Sequence, residues 1–495
     1  MPMKVSSIPE NVSKFRPGSC TEIKLISNHY YVYSYHSVKL PSGNWGKQSG
    51  KCIGSIIADK GFVPNKNYAE WASTESKDEI TVLEYGQYAL ISKVAEWVKK
   101  DLEGCFGYSR GDQIFAWAVI LYANGFTHLD QIQDYYDQCW LSLEYKAYTF
   151  KMGKEALSTV LDDLGRRTKR VKDYEMNSLI NSSCEVAIDG HAIRSCSEEN
   201  DLAETGYKFS ALGEDQVNLL MGYDVNTGKP LFSRVFRGSC NDKATVETLA
   251  ELLEINNILF IVDRGFYSSG NLELFSQKGN SYIIPIPSHL KVFKETMSQL
   301  KYQSYFYYRA GKKHARILYY ERQISETERV LVFKDVDENE KCRYNYQHSI
   351  DLGKNGYTVE KLREKEEFFG VYVFQTNSKK SAKDVFEAYK KRWGIETFYQ
   401  YLKNRADFND LMLQDYYKEQ GFAFVMLIAG QIHWRMTEAV ARLNDNTLSI
   451  YDVLLKARAM KIEKDGKYWR LKNTRKKDLE MLEKMQFIPQ DRLPV

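Results

Sequence analysis

The sequence predicts an α/β core. Three observations predict it: two short apolar runs that each end in an aspartate, a hairpin pattern between them, and a late amphipathic helix carrying one acid among cations. Residues 186–188 of CEVAIDGHAIRS lead into Asp189, and residues 258–262 of ILFIVDRGFYSSG lead into Asp263. Short β-rich runs halted by glycine read as buried strands. Segments 217–224 and 231–236 flank Val225-Asn226-Thr227-Gly228-Lys229-Pro230 and read as a hairpin. Residues 245–254 read as a helix, 271–277 as another, 282–286 and 371–374 as strands, and 383–403 as the acidic helix. Three strands, helix, strand, helix, strand and a final acidic helix is the order of an RNase H-like domain. The excursion at 288–368 interrupts it. Its segments 317–320 and 330–336 alternate and carry aromatics, which predicts a β-rich insertion.

Around this core the chain divides further. Residues 1–75 are rich in Tyr, Ser and Gly and predict a small β-rich region, whose aromatics either form its core or face DNA. Residues 76–180 predict helices over 80–101, 112–123, 129–139 and 154–165. They read as a helical scaffold or as a DNA-binding module. The core is expected at 181–287 and 369–410, and a C-terminal helical region at 411–495, with helices over 422–434, 451–461 and 477–485.

Tyr389, Arg392, Glu396 and Lys403 read Y-x2-R-x3-E-x6-K within AYKKRWGIETFYQYLKN. At about 100° per residue, Arg392 falls at roughly −60° from Tyr389, Glu396 at −20° and Lys403 at −40°. The four line one stripe, with Ile395, Phe398 and Leu402 on the opposite, anchoring face. A solvated charged face is one reading of such a stripe. A site that grips a phosphate backbone and holds a metal is the other. Asp189 and Asp263 likewise read either as turn residues or as carboxylates at strand ends, where open α/β sheets place their sites. With Glu396 they make three carboxylates from three elements, a donor set suited to two hard divalent cations about 4 Å apart.

These residues resemble those of bacterial insertion-sequence DDE transposases of the Y-R-E-K signature group. The likeness rests on Asp189 in AIDGHAIRS, Asp263 in VDRGF, the quartet, and the approach FQTNSKKSAKDVFEAYKKRWGIETFYQYLKN, over residues 180–410. His191 stands where many relatives carry a small hydroxyl residue, so its role is open. The resemblance implies catalysis by Asp189, Asp263 and Glu396 through two bound Mg²⁺ ions, with Mn²⁺ able to substitute. It implies cleavage at element ends and strand transfer into target DNA. It also implies DNA contacts from Tyr389, Arg392 and Lys403, a homodimer in the synaptic complex, and a bacterial cytoplasmic protein that is nucleoid-associated on DNA. Arg264 either joins those contacts or pairs with an acid. Trp393 and the run Tyr305, Phe306, Tyr307, Tyr308 either stack on bases or pack in the core.

The composition excludes several classes. The formal charge of +4 over 495 residues does not announce nucleic acid; local basic clusters do more. One comprises Arg166, Arg167, Lys169, Arg170 and Lys172, and a second runs from Lys456 to Lys477. A mean hydropathy of −0.49 fits a soluble chain. The longest apolar stretches, 114–123 and 422–429, fall short of the ~18–20 residues a membrane span requires. The eight cysteines form no C-x-x-C pair, so zinc and thioredoxin-like motifs are unsupported. A doubly wound phosphate enzyme lacks its glycine loop. Two readings compete with transposition: an RNase H-like nuclease without strand transfer, and an inactive transposase-derived DNA-binding protein.

Overall fold

The structure is a computed structural model. It describes all residues except 1–7, 19, 40–44, 58–59, 76–80, 126–127, 149, 167–168, 196–199, 206–214, 239–255, 311–312, 393, 395–398, 400–409, 412, 414, 446 and 495. The chain divides into two compact units, Met1–Thr81 and Val82–Val495.

The first unit is an antiparallel meander of β1 (Thr21–Ile26), β2 (His29–Lys39), β3 (Trp45–Ile57) and β4 (Gly61–Pro64), with short helices at Glu10–Ser13 and Tyr68–Glu75. Ser27 and Asn28 turn β1 into β2 at φ 47° and 66°. Positive φ at both central positions matches the right-handed twist of the paired strands. Val12, Ile23, Val32, Ile53 and Ile56 are buried together, with Phe15, Phe62 and Trp71 packed against them. Several aromatics of this stretch therefore serve a small β core.

The second unit opens with β5 (Val82–Glu84) and runs through helices Gly86–Val94, Glu96–Phe106, Tyr108–Asn124, Ile132–Asp137, Leu141–Glu144, Lys154–Gly165 and Lys169–Ile180. The single helix expected over 80–101 is interrupted at Ala95 (φ −100°, ψ 20°), and its start is a strand. Tyr108–Asn124 is buried from Gly111 through Tyr122, as an apolar helix with no polar face must be.

Next come β6 (Glu185–Ser195), β7 (Glu204–Thr205), β8 (Asp215–Asp224), β9 (Pro230–Arg237), β10 (Leu259–Val262) and β11 (Ser281–Pro285). β8 pairs antiparallel with both β6 and β9, while β10 runs parallel to β6 and to β11. The order β9-β8-β6-β10-β11 is the RNase H-like sheet. The hairpin β8–β9 keeps its strands antiparallel, and a crossover through helix Ser269–Ser276 makes β10 and β11 parallel. The helix expected over 245–254 lies outside the described residues.

The insertion contributes β12 (Ser304–Ala310), β13 (Lys313–Gln323) and β14 (Arg329–Asp335), then the chain returns as β15 (Val371–Thr376). β15 pairs antiparallel with β11, and β14, β13 and β12 follow it, so the insertion lengthens the core sheet. It is not purely β: helices Lys291–Ser298, Val336–Asp351 and Val359–Lys365 lie within it. The last two were legible in their caps, Asp335 accepting from the Glu338 amide and Thr358 from that of Lys361.

After helix Ala382–Lys391, β16 (Asp410–Leu411) joins the end of β6, and helix Tyr416–Ala441 crosses the unit with most of its length buried. One hydrophobic core gathers this helix, the helices before β6, and Ile193, Leu219 and Met221 of the sheet. The C-terminal region is not all helical. Helix Ile450–Arg458 is followed by β17 (Lys461–Asp465), β18 (Tyr468–Lys472), helix Lys476–Lys484 and β19 (Arg492–Pro494), in a sheet of order β19-β18-β17-β5. The missed signal was Gly466-Lys467, a two-residue hairpin loop closed by the Asp465–Tyr468 pair, with Gly466 at φ 61°. No helix among the described residues is long and apolar enough to cross a membrane.

Candidate active site

Two neighbouring parallel strands bring Asp189 and Asp263 together. Val262 of β10 is paired with Ile188 of β6, so the next residue on each strand is one of the two aspartates. Adjacent strands lie ~4.8 Å apart, which places the two backbones side by side at one level of the sheet. The four residues of β10 are all buried, as a strand covered on both faces must be. Asp263 follows them into solvent, and its main-chain carbonyl accepts from the Phe266 amide of the next turn.

Asp189 differs from expectation. β6 does not stop at Gly190 but continues to Ser195, paired residue by residue with β8, including Asp189 with Met221. An antiparallel neighbour can carry a strand past the level where a parallel neighbour ends. Asp189 is thus mid-strand against β8 and at the strand end against β10. Its carboxylate accepts from the Gly190 amide at 2.9 Å, and its side chain is 22% exposed.

Helix Ala382–Lys391 packs on the Ala187 side of this sheet. Ser381 caps it, accepting from the Asp384 amide, and Ala382, Val385, Phe386, Ala388 and Tyr389 bury one face. Tyr389 lies 4.4 Å from the Phe374 ring, centre to centre. Burial pushes its phenol up to about 12; the Arg392 guanidinium pulls against that, and the charges of Asp263 and Asp189 add to it. Arg392 is buried, stands over the Tyr389 ring at 5.4 Å, and reaches the Asp189 carboxylate at 3.7 Å. Neither Tyr389 nor Arg392 is on a solvated face. Both side chains turn inward, Arg392 onto the Asp189 carboxylate.

Glu396, Lys403 and Trp393 lie outside the described residues. Arg264 is exposed in the turn after Asp263. With Tyr389, Lys294, Phe293 and Phe368 it lines a cavity of about 700 Å³. The aromatic run splits by strand alternation: Tyr305 and Tyr307 are exposed, while Phe306 and Tyr308 pack on Phe386. Among the described residues no group of three metal-ligating side chains occurs. The donor chemistry that is present suits a hard cation: two carboxylates on adjacent strands, supplying oxygen alone.

One residue was missed and another had been left without a role. Tyr399 is buried, and its hydroxyl donates to the Asp189 carbonyl at 3.0 Å. His191, also buried, faces the Tyr399 ring at 5.1 Å. The same helical count that aligned the quartet puts Tyr399 at roughly −80° from Tyr389, on the stripe beside Arg392. His191 stood out in the sequence only as a departure from the family pattern, which gave it no role.

Residues 181–429, just over half of the 495, match the model of the family described as Transposase DDE domain. No curated protein matches the chain. Among solved structures, the chain is similar to the piggyBac transposase synaptic complex with hairpin DNA, seen by cryo-EM, at 9% identity. That alignment covers 75% of this chain and 77% of the other with a TM-score of 0.38, a likeness too remote to bear on the chemistry.

Proposed function

Because the chain belongs to the family that carries a transposase DDE domain, we propose that it cuts the ends of an insertion element and joins them to target DNA, with Asp189, Asp263 and Glu396 as its catalytic carboxylates. The observation that carries this is the register of β6 and β10, which sets Asp189 and Asp263 abreast on neighbouring strands. Glu396 stands four residues after Arg392 and three before Tyr399, and both of those side chains reach Asp189.

In this reading the three carboxylates hold two Mg²⁺ ions, which would neutralise phosphate charge and activate the attacking oxygen. Asp263, exposed and beside Asp189, is placed to meet an incoming backbone. Arg392 fixes the Asp189 carboxylate and supplies a fork that phosphate oxygens also fit. Arg264 and Lys403 add cationic contacts to the DNA, and Tyr389 contributes a phenol that burial keeps protonated as a donor. Double-stranded DNA, as element ends and target, is the partner, with two protomers pairing the ends.

The test uses a duplex taken from the DNA flanking the gene. Wild-type protein is expected to cut it in Mg²⁺ and to join the product to a second duplex. Asp189→Ala, Asp263→Ala and Glu396→Ala should each lower cutting by ~10³-fold or more, the loss of several kcal/mol of charge stabilisation, while DNA binding persists. Undiminished Mg²⁺-dependent cutting by any of the three would refute the assignment. Cutting without joining would leave a nuclease, and binding alone an inactive DNA-binding protein.

A further inference from the structure

The Tyr399 hydroxyl bridges two strands at the level of Asp189. It donates to the Asp189 carbonyl on β6 at 3.0 Å and accepts from the Met221 amide on β8. Asp189 and Met221 are ladder partners. A side chain from a distant segment thus ties both strands at a residue that bears a catalytic carboxylate. The phenol is buried, and its proton is held firmly there: burial pushes its titration well above the ordinary range, with the nearby Asp189 charge pushing the same way. His191, two residues beyond Asp189 on β6, backs the ring at 5.1 Å with the planes tilted 34°.

Arg392 makes the complementary contact, to the carboxylate of the same Asp189 at 3.7 Å. Asp189 is thus held at two points, its carboxylate by Arg392 and its carbonyl by Tyr399.

We propose that Tyr399 is a positioning residue: it fixes the backbone of β6 at Asp189, and with it the aim of the Asp189 carboxylate, and so tunes the affinity of the site for divalent metal, with His191 holding its ring. This rests on the reading of Asp189 and Glu396 as ligands. Partners that orient ligands from behind are worth about 10- to 100-fold in metal affinity.

The test compares full-length wild type, Tyr399→Phe, Asp189→Asn, and Leu202→Ala as a buried-core control for general loosening. Mn²⁺ affinity is read by calorimetry, and Mg²⁺ half-saturation by cutting of the flanking duplex. Tyr399→Phe is expected to weaken Mn²⁺ binding and raise the Mg²⁺ half-saturation by about tenfold, with cutting at saturating Mg²⁺ within threefold of wild type. Unchanged metal affinity in Tyr399→Phe overturns the proposal. So does an equal loss of affinity in Leu202→Ala at matched thermal stability, because the effect would then be general loosening. If wild type binds no Mn²⁺, or Asp189→Asn binds it as well as wild type does, the carboxylate reading fails and Tyr399 has no metal site to position.

Discussion

At the scale of single residues, buried polar groups decide where this molecule is sensitive. Glu175 and Arg234 form a buried ion pair that fastens helix Lys169–Ile180 to β9. Such pairs resist removal of one partner, because the other is left as a buried charge. Glu419 is the opposite case. It is fully buried in the first turn of helix Tyr416–Ala441, one oxygen accepts from the Asn200 amide, and Oε2 has no hydrogen-bond partner among the described residues. Burial raises its carboxyl to about 7; the Asn200 contact opposes this, and Asp201 and Asp415 add to it. The folded chain therefore keeps a proton that the unfolded chain releases near 4.5. Stability from this group is full below pH 4.5 and is lost as pH climbs to about 7, by up to ~3 kcal/mol. Glu419→Gln should flatten that dependence. Its melting temperature should exceed that of wild type at pH 8 and match it near pH 4.5; parallel curves for the two proteins across that range would contradict the account.

At the scale of elements, close helix packing rests on two glycines. A Cβ on Gly421 would stand 2.0 Å from the Leu161 carbonyl oxygen, and one on Gly165 would stand 1.5 Å from that of Tyr417. The helices Lys154–Gly165 and Tyr416–Ala441 thus touch backbone to backbone. Helix propensity alone favours Ala over Gly by ~1 kcal/mol. Here the clash should win, since forcing atoms into a packed interior costs ~1–3 kcal/mol or more. Gly421→Ala is expected to lower the urea midpoint, and a raised midpoint would show that the helices separate at no cost. The sequence could not reveal this, because a helical glycine reads only as a weak position until its neighbour is known. The hairpin β17–β18 is the reverse: its turn glycine, Gly466, was present in the sequence but was outweighed by the lysine-rich, helix-forming residues around it.

At the scale of the whole molecule, two compact units differ greatly in core size. Among the described residues, the unit Met1–Thr81 buries five core hydrophobics together, whereas a single cluster in Val82–Val495 runs from Leu83 to Leu493. Small cores stabilise little. Calorimetry should therefore resolve an early, small transition apart from the main one. Val32→Asp, which places a charge at a fully buried position of the small core, should abolish that early transition and leave the main one in place. A shift of the main transition by the same substitution would mean that the two units unfold as one. The basic runs read from the sequence carry less free charge than they suggested. Arg166 is paired with Asp162, Lys461 with Glu84, Arg470 with Asp465 and Lys472 with Glu463.

The sequence by itself determined the order of the core strands and which two of them carry Asp189 and Asp263, because apolar runs, turn residues and their spacing are local properties. The tertiary structure alone decided that β6 runs on past Asp189, that Arg392 turns inward to it, and that Tyr399 and His191 stand behind it. Those facts depend on which strand lies alongside and what it offers for pairing. Residues hundreds of positions apart supply that answer, and no local pattern encodes it.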